Sequence, residues 1–258
     1  ARLGGDEFVI ILPGIETVTT IDTVANNVIR LFLNPFMLND QNIHITTSIG
    51  IANYPSDAQS VSDLMKFADQ SMYAAKNKGK SNYVYFTPEL QKDAKARISL
   101  ISALREAITA QQFELYYQPI INLKTNEIEK AEALIRWNHP EKGLISPYSF
   151  IPIAEETGLI VDLGQWVFEA ALKQLQAWNN SFRTPIKICI NVSPRQFKTK
   201  NENHFKWIEQ LADRGIQGKD IVLEITEGLF LSKNKVVDKR LIQLRDAGIQ
   251  VAIDDFVT

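Results

Sequence analysis

The sequence is short of several things, and each shortage excludes something. Of its 258 residues one is cysteine, three are histidine and three are methionine. A single cysteine, Cys189, cannot close an internal disulfide; its place in the apolar run Ile186 to Val192 fits a reducing compartment and a buried small side chain. His44, His139 and His204 lack the paired spacing of zinc sites and read as surface or loop residues. The longest apolar runs, such as Phe8 to Leu12, fall far short of the ~18 residues that cross a bilayer, and no signal-peptide pattern opens the chain, so a cytoplasmic location is expected, with any membrane tether of a longer parent lying upstream of Ala1. Charge of one sign is lacking too. A net charge of −2 and a pI near 6.0 provide no global basic field, which argues against polymeric nucleic acid as a partner and against an anionic membrane held by electrostatics alone. With 45% hydrophobic and 22% charged residues, the composition is that of a folded chain long enough for one large or two modest domains.

What is present is an alternation of strand and helix patterns. The opening Ala1-Arg2-Leu3-Gly4-Gly5-Asp6-Glu7-Phe8-Val9-Ile10-Ile11-Leu12 starts on a turn and runs into a strand, and reads as a chain opened inside a domain. Val24, Val28, Leu31 and Phe32 give helical spacing over Asp22 to Phe32, and the β-branched run Ile43 to Ala52 predicts a strand. Ser62 stands as a cap before Leu64, Phe67, Ala68, Met72 and Ala75, in a helix that stops at Lys76-Asn77-Lys78-Gly79-Lys80, and Tyr83 to Phe86 makes a short strand. Ile98, Ile101, Leu104 and Ile108 mark a helix between Pro88 and Gln112, which we take as the joint between a first domain, 1–87, and a second, 113–258. In the second, strands over Leu115 to Ile121, Ile128 to Trp137, Ile186 to Val192, Ile221 to Thr226 and Val251 to Phe256 alternate with helices such as Gly164 to Trp178 and Lys235 to Ala247, with Phe150 to Glu155 read as a loop. Trp166 and Trp178 fall at core spacing. This is β/α architecture of the barrel kind, with fewer strands than the eight that close such a barrel.

Glu132, Asn191, Glu224 and the pair Asp254-Asp255 each sit at or near the downstream end of one of these strands. Oxygen-only donors suit hard divalent cations such as magnesium or manganese, and strand ends are where α/β barrels place their chemistry. Asn191, Glu224 and Asp254 follow one another at about the ~30-residue length of a βαβ repeat. Each also has an ordinary structural explanation, Asn191 satisfying backbone at a strand end and Glu224 forming an ion pair. Adjacent Asp254 and Asp255 are harder to explain so, because they repel without a cation. Glu132 and Arg136, four apart on a strand of period two, share a face, as do Tyr116 and Gln118.

Gly4-Gly5-Asp6-Glu7-Phe8, Ser48-Ile49-Gly50-Ile51-Ala52 and Ala68-Asp69-Gln70-Ser71-Met72-Tyr73-Ala74-Ala75-Lys76-Asn77-Lys78-Gly79-Lys80 together resemble the GGDEF family, the diguanylate cyclases, over residues 1 to about 87. The resemblance implies Asp6 as a ligand to magnesium, Gly4, Gly5 and Glu7 lining a site for a nucleotide such as GTP, and Lys76 and Lys80 meeting phosphates. Lys80 stands where an arginine is expected and offers a point charge in place of a planar fork. The family's first strand, its other metal-binding aspartate and its guanine-reading residues would precede Ala1, so this half is expected to synthesise nothing by itself.

Tyr117-Gln118-Pro119, Glu132-Ala133-Leu134-Ile135-Arg136-Trp137, Phe150-Ile151-Pro152-Ile153-Ala154-Glu155, Asn191-Val192-Ser193-Pro194-Arg195-Gln196-Phe197, Glu224-Ile225-Thr226-Glu227 and Asp254-Asp255-Phe256 follow in an order similar to the EAL family, phosphodiesterases that linearise the bacterial messenger cyclic di-GMP to pGpG. The fold this implies is α/β, the C-terminal half of a GGDEF domain followed by an incomplete EAL-type (β/α)8 barrel. The implied site holds two magnesium or manganese ions, the first on Glu132, Asn191, Glu224 and Asp254 and the second on Asp254 and Asp255. Glu132, Asp254 and Asp255 would be catalytic, and Gln118 and Arg136 would hold the dinucleotide. Val257 departs from the glycine that the family pattern carries after Asp-Asp-Phe, and the family's later lysine and glutamate would follow Thr258. The 258 residues alone are therefore expected to be inactive, with turnover belonging to a longer parent that self-associates through its EAL or upstream regions and is either a phosphodiesterase alone or also a cyclase. The alternative is a receptor that binds cyclic di-GMP without cleaving it.

Overall fold

The computed structural model describes residues 1–15, 17–181, 185–198, 206–230 and 234–254, without the side chains of Phe230 and Asp254. These fall into two units, Ala1–Ile98 and Ser99–Thr258.

The first unit opens with a hairpin of β1 (Arg2–Gly4) and β2 (Glu7–Phe8), whose turn uses Gly5 at φ +53°, a conformation glycine adopts without steric cost. The strand expected over Val9 to Leu12 does not form. Val9 closes the hairpin by donating its N–H to the Ala1 carbonyl at 2.7 Å, but Ile10 to Leu12 join no ladder among the described residues, and an extended segment without a ladder is not a strand. Helix α1 (Val18–Leu31) starts four residues ahead of its first expected turn. A second hairpin, β3 (Phe36–Leu38) with β4 (Gln41–Ile43), turns through Asn39 and Asp40, both at positive φ, as two-residue hairpin turns require. The run Ile43 to Ala52, expected as one strand, is divided between β4 and β5 (Ser48–Ile51), which belong to different sheets.

Helix α2 (Val61–Asn77) is capped by Ser60, whose hydroxyl accepts the Asp63 N–H at 3.0 Å. The expected cap, Ser62, lies within its first turn. Strand β6 (Asn82–Tyr85) runs parallel to β5, with α2 packed on both. Gly50 is required where α2 crosses β5, since a Cβ there would stand 1.8 Å from the Ala68 carbonyl oxygen. Helix α3 (Pro88–Thr109) contains the boundary between the units.

The second unit begins with the antiparallel pair β7 (Phe113–Asn122) and β8 (Glu127–His139), to which the short β9 (Gly143–Ile145) adds. The segment Phe150 to Glu155, read as a loop, is part of helix α4 (Pro147–Thr157). Pro152 inside it disfavours helix locally, but Phe150, Ile153 and Ala154 bury one stripe, Pro147 starts the helix and Gly158 ends it at φ +82°. Helix α5 (Ile160–Ser181) leads to β10 (Lys187–Val192), followed by α6 (Pro194–Lys198), α7 (Trp207–Arg214), a 3₁₀ turn at Gly218–Asp220, β11 (Ile221–Thr226), α8 (Glu227–Phe230), α9 (Lys235–Asp246) and β12 (Gln250–Asp254). The sheet order is β12-β11-β10-β8-β7, with β8, β10, β11 and β12 mutually parallel. The last expected strand residues, Asp255 and Phe256, lie outside the described residues, as do Val257 and Thr258.

One face of this sheet makes the core. Ala133, Ile188, Ile190, Leu223 and Ile225 pack with Phe168, Leu172 and Leu175 of α5 and with Trp207, and Trp166 and Trp178 lean half-buried on the same cluster. A second cluster joins Leu104 and Ala107 of α3 to Phe113, Trp137 and Phe150. Among the described residues no helix is long and apolar enough to cross a membrane.

Candidate active site

Because side chains alternate along a strand, the residues between those core positions face the other way, and there the strand-end candidates gather. In register, Glu132 on β8 stands beside Cys189 on β10; Asn191, two residues on, stands beside Glu224 on β11; and Thr226, two residues on again, stands beside Asp254 on β12. The candidates thus rise like a stair toward the strand ends, on one face of neighbouring parallel strands. On the other side of Glu132 its antiparallel partner on β7 is Gln118.

Two of the candidates touch. The Asn191 amide donates from Nδ2 to Glu132 Oε1 at 2.8 Å, which leaves its carbonyl oxygen as an acceptor. Cys189, 1% exposed, lies beneath them. Burial, and after it the charge and hydrogen bond of Glu224, push its thiol up to about 12. The Arg136 guanidinium lies over the Tyr116 ring, 5.2 Å from its centroid, and donates from NH1 to the Ile135 carbonyl at 2.9 Å. A cavity of about 430 Å³ opens over this end of the sheet, lined by Leu134, Arg136, Tyr148, Asn191, Glu224 and Thr226 among others.

The turn after β10 is held from three sides. Ser193 Oγ donates to Glu155 Oε1 of α4 at 2.7 Å, and the Ser193 N–H donates to the buried Gln196 Oε1 at 2.9 Å. Gln196 in turn lies against Gly164 of α5, where a Cβ would come within 1.9 Å of its Nε2. Arg240, buried on α9, donates to the Gln196 and Phe197 carbonyls. Sequence reasoning gave Glu155, Ser193 and Gln196 no role of their own, although all three lie in the segments quoted for the family; their signal was the spacing of Ser193 and Gln196 just after an apolar strand.

The donors suit a divalent cation by their chemistry. Glu132, Asn191 and Glu224 offer carboxylate and amide oxygen on adjacent strands, the set preferred by hard cations, and the backbone of Asp254 continues the same stair. Among the described residues no three of His, Cys, Asp and Glu already converge as a metal cage. Asp255, the second acid of the pair, lies outside the described residues.

The candidates of the first unit are more scattered. Gly4, Gly5, Asp6 and Glu7 are exposed on the β1–β2 hairpin, where Arg2 donates to the Gly5 carbonyl at 3.0 and 2.7 Å. Lys76 is in the last turn of α2, and Lys80, at φ +62°, lies just beyond it, beside a different sheet from the hairpin.

Residues 101–258 match the model of the EAL domain, and residues 1–82 that of the diguanylate cyclase, GGDEF domain. The chain belongs to the EAL domain family, with a GGDEF match ahead of it. Phosphodiesterases of this family depend in general on divalent metal ions. The chain is 34% identical over 262 residues to the bifunctional diguanylate cyclase/cyclic di-GMP phosphodiesterase MucR of Pseudomonas aeruginosa, matching all of this chain and 37% of MucR. It is 38% identical over 267 residues to the signaling protein YkoW of Bacillus subtilis, again over all of this chain and 32% of YkoW. Among solved structures, the PaMucR phosphodiesterase in complex with c-di-GMP superposes with a TM-score of 0.57 at 34% identity, covering 62% of this chain and 64% of that one. The chain spans about a third of the length of the curated relatives it matches.

Proposed function

We propose that this chain contributes to a bacterial signalling protein whose EAL domain hydrolyses cyclic di-GMP to linear pGpG with two magnesium or manganese ions. The observation that carries the reading is the stair of Glu132, Asn191, Glu224 and Asp254 on adjacent strands, two of whose members, Asn191 and Glu224, line one cavity with Arg136. The family match and the c-di-GMP complex of the PaMucR phosphodiesterase support the substrate.

In this reading Glu132, Asn191, Glu224 and Asp254 hold the first ion, and Asp254 with Asp255 serves the second. When bound, such ions polarise a phosphodiester oxygen and lower the pKa of a water. The chain's own residues do the rest. Arg136 presents guanidinium N–H groups to a phosphate, Gln118 across from Glu132 donates to the sugar-phosphate backbone, and the apolar side of the cavity around Leu134 and Ile151 keeps bulk water away. Residues 1–87 form the GGDEF part, 88–112 the connecting helix and 113–258 the EAL part. Magnesium and GTP at Gly4 to Glu7, Lys76 and Lys80, and self-association through the EAL or upstream regions, belong to the same reading.

The test is release of pGpG from cyclic di-GMP in magnesium or manganese by the protein that carries this chain. Glu132→Ala should nearly abolish it. Hydrolysis unchanged in that variant would sink the site assignment, and tight binding without any product would turn the reading toward a receptor.

A further inference from the structure

The side chains of β7 and β8 on the site face form three successive rungs, Glu114 opposite Arg136, Tyr116 opposite Leu134 and Gln118 opposite Glu132. Arg136 thus has Glu114 directly across the pair and Glu132 four residues back along β8 on the same face, a carboxylate on either side for a long arginine side chain to turn toward. It turns toward neither. Its guanidinium lies over the Tyr116 ring at 5.2 Å from the centroid and is tied to the Ile135 carbonyl at 2.9 Å.

Resting on the dinucleotide reading of this site, we infer that Tyr116 is a positioning residue, which stacks Arg136 so that its guanidinium faces the cavity and a phosphate there, and which, with Leu134, keeps that cation off the Glu132 carboxylate. The ring face supplies attraction without neutralising charge, so the guanidinium stays cationic and keeps N–H groups for an anion. An acidic partner in the same place would satisfy those donors and cancel the field. An aliphatic residue would leave the side chain to find Glu114 or Glu132, and a Glu132 paired with arginine is a poorer metal ligand.

The role asks for a ring and not for a hydroxyl, which sets the experiment. Calorimetric titration of the protein that carries this chain with cyclic di-GMP in calcium, a cation that takes the same oxygen donors, would compare wild type with Tyr116→Phe, Tyr116→Trp, Tyr116→Leu, Arg136→Ala and the Tyr116→Leu/Arg136→Ala pair. Phenylalanine should bind within about twofold of wild type and tryptophan as well or better, while leucine should weaken binding by roughly 2- to 30-fold, the span of a cation–π contact. In the Arg136→Ala background Tyr116→Leu should cost nothing more, because the partner it positions is gone. Leucine as tight as phenylalanine, or an equal loss in both backgrounds, overturns the inference while leaving the site reading intact. Should leucine disturb the fold, a tryptophan variant that binds clearly worse than wild type overturns it as well. A wild-type protein that does not bind cyclic di-GMP overturns the reading of the site and the inference with it.

Discussion

Glu132 meets Asn191 through a single hydrogen bond, and that contact has two readings that one substitution separates. Glu132→Gln keeps the side chain's size and an oxygen for the Asn191 amide but removes the charge. If the pair only tidied a strand end, little would change. For a metal site we expect manganese affinity to fall by at least ~100-fold with the melting temperature held within a few degrees, a split read by metal titration beside thermal unfolding. Tyr117, on the core face of the same hairpin, carries a different signature. Burial pushes its phenol up to about 12 from an ordinary value near 10, and its ring meets Trp178 edge-on at 4.8 Å. The folded state thus holds this proton where the unfolded chain has released it, so its contribution is fully present below pH 10 and is lost as pH rises from 10 through 12. Tyr117→Phe should flatten that alkaline decline in a denaturant-melt series without changing stability at neutral pH by more than about 1 kcal/mol.

Elements are decided by close approaches that spacing alone does not report. Ser60 and Ser62 are both plausible caps of α2, and only the bond from Asp63 N–H to the Ser60 hydroxyl distinguishes them. Ser60→Ala should cost about 1 kcal/mol and Ser62→Ala much less, measured by urea unfolding. Gly50 is stricter. Its missing Cβ is what lets α2 lie on β5, and Gly50→Ala should destabilise the first unit by at least roughly 1–3 kcal/mol, since the atom it would strike is backbone and cannot turn away. Gly164 is the same kind of position with a softer neighbour, the Gln196 amide, so a substitution there acts on the turn after β10 before it acts on the helix.

At the scale of the molecule the apolar cores are unevenly shared. Both clusters of buried apolar side chains found among the described residues lie between Leu104 and Ile249, in the second unit, while the first buries small residues such as Ala25, Ala58 and Ala75 and leaves Ile11, Leu31 and Met37 largely exposed. Local opening follows local burial, so backbone amides of α1 and α2 should exchange with solvent well before those of α5, β10 and β11 in a hydrogen-exchange time course. Slower exchange in the first unit than in the second would contradict this. Leu172→Ala, at the centre of the larger cluster, should cost about 2–5 kcal/mol.

Much of this was legible in the residues themselves. The long elements of the second unit follow from apolar periodicity, because α5 and the strands β8, β10 and β11 each bury one side in a single core and must repeat at their own period. Asn191, Glu224 and Asp254 were legible for a related reason, as polar groups near the ends of apolar runs, whereas Glu132, expected at a strand end, sits in the middle of β8. What the sequence could not decide is who stands beside whom. The division of Ile43 to Ala52 between two sheets, the helix through Pro152, the stair of Glu132, Asn191 and Glu224, and the rung of Tyr116 that holds Arg136 all depend on register and packing between segments far apart in the chain. Periodicity tells each element which way to face, whereas only the assembled sheet brings separate faces to within a hydrogen bond.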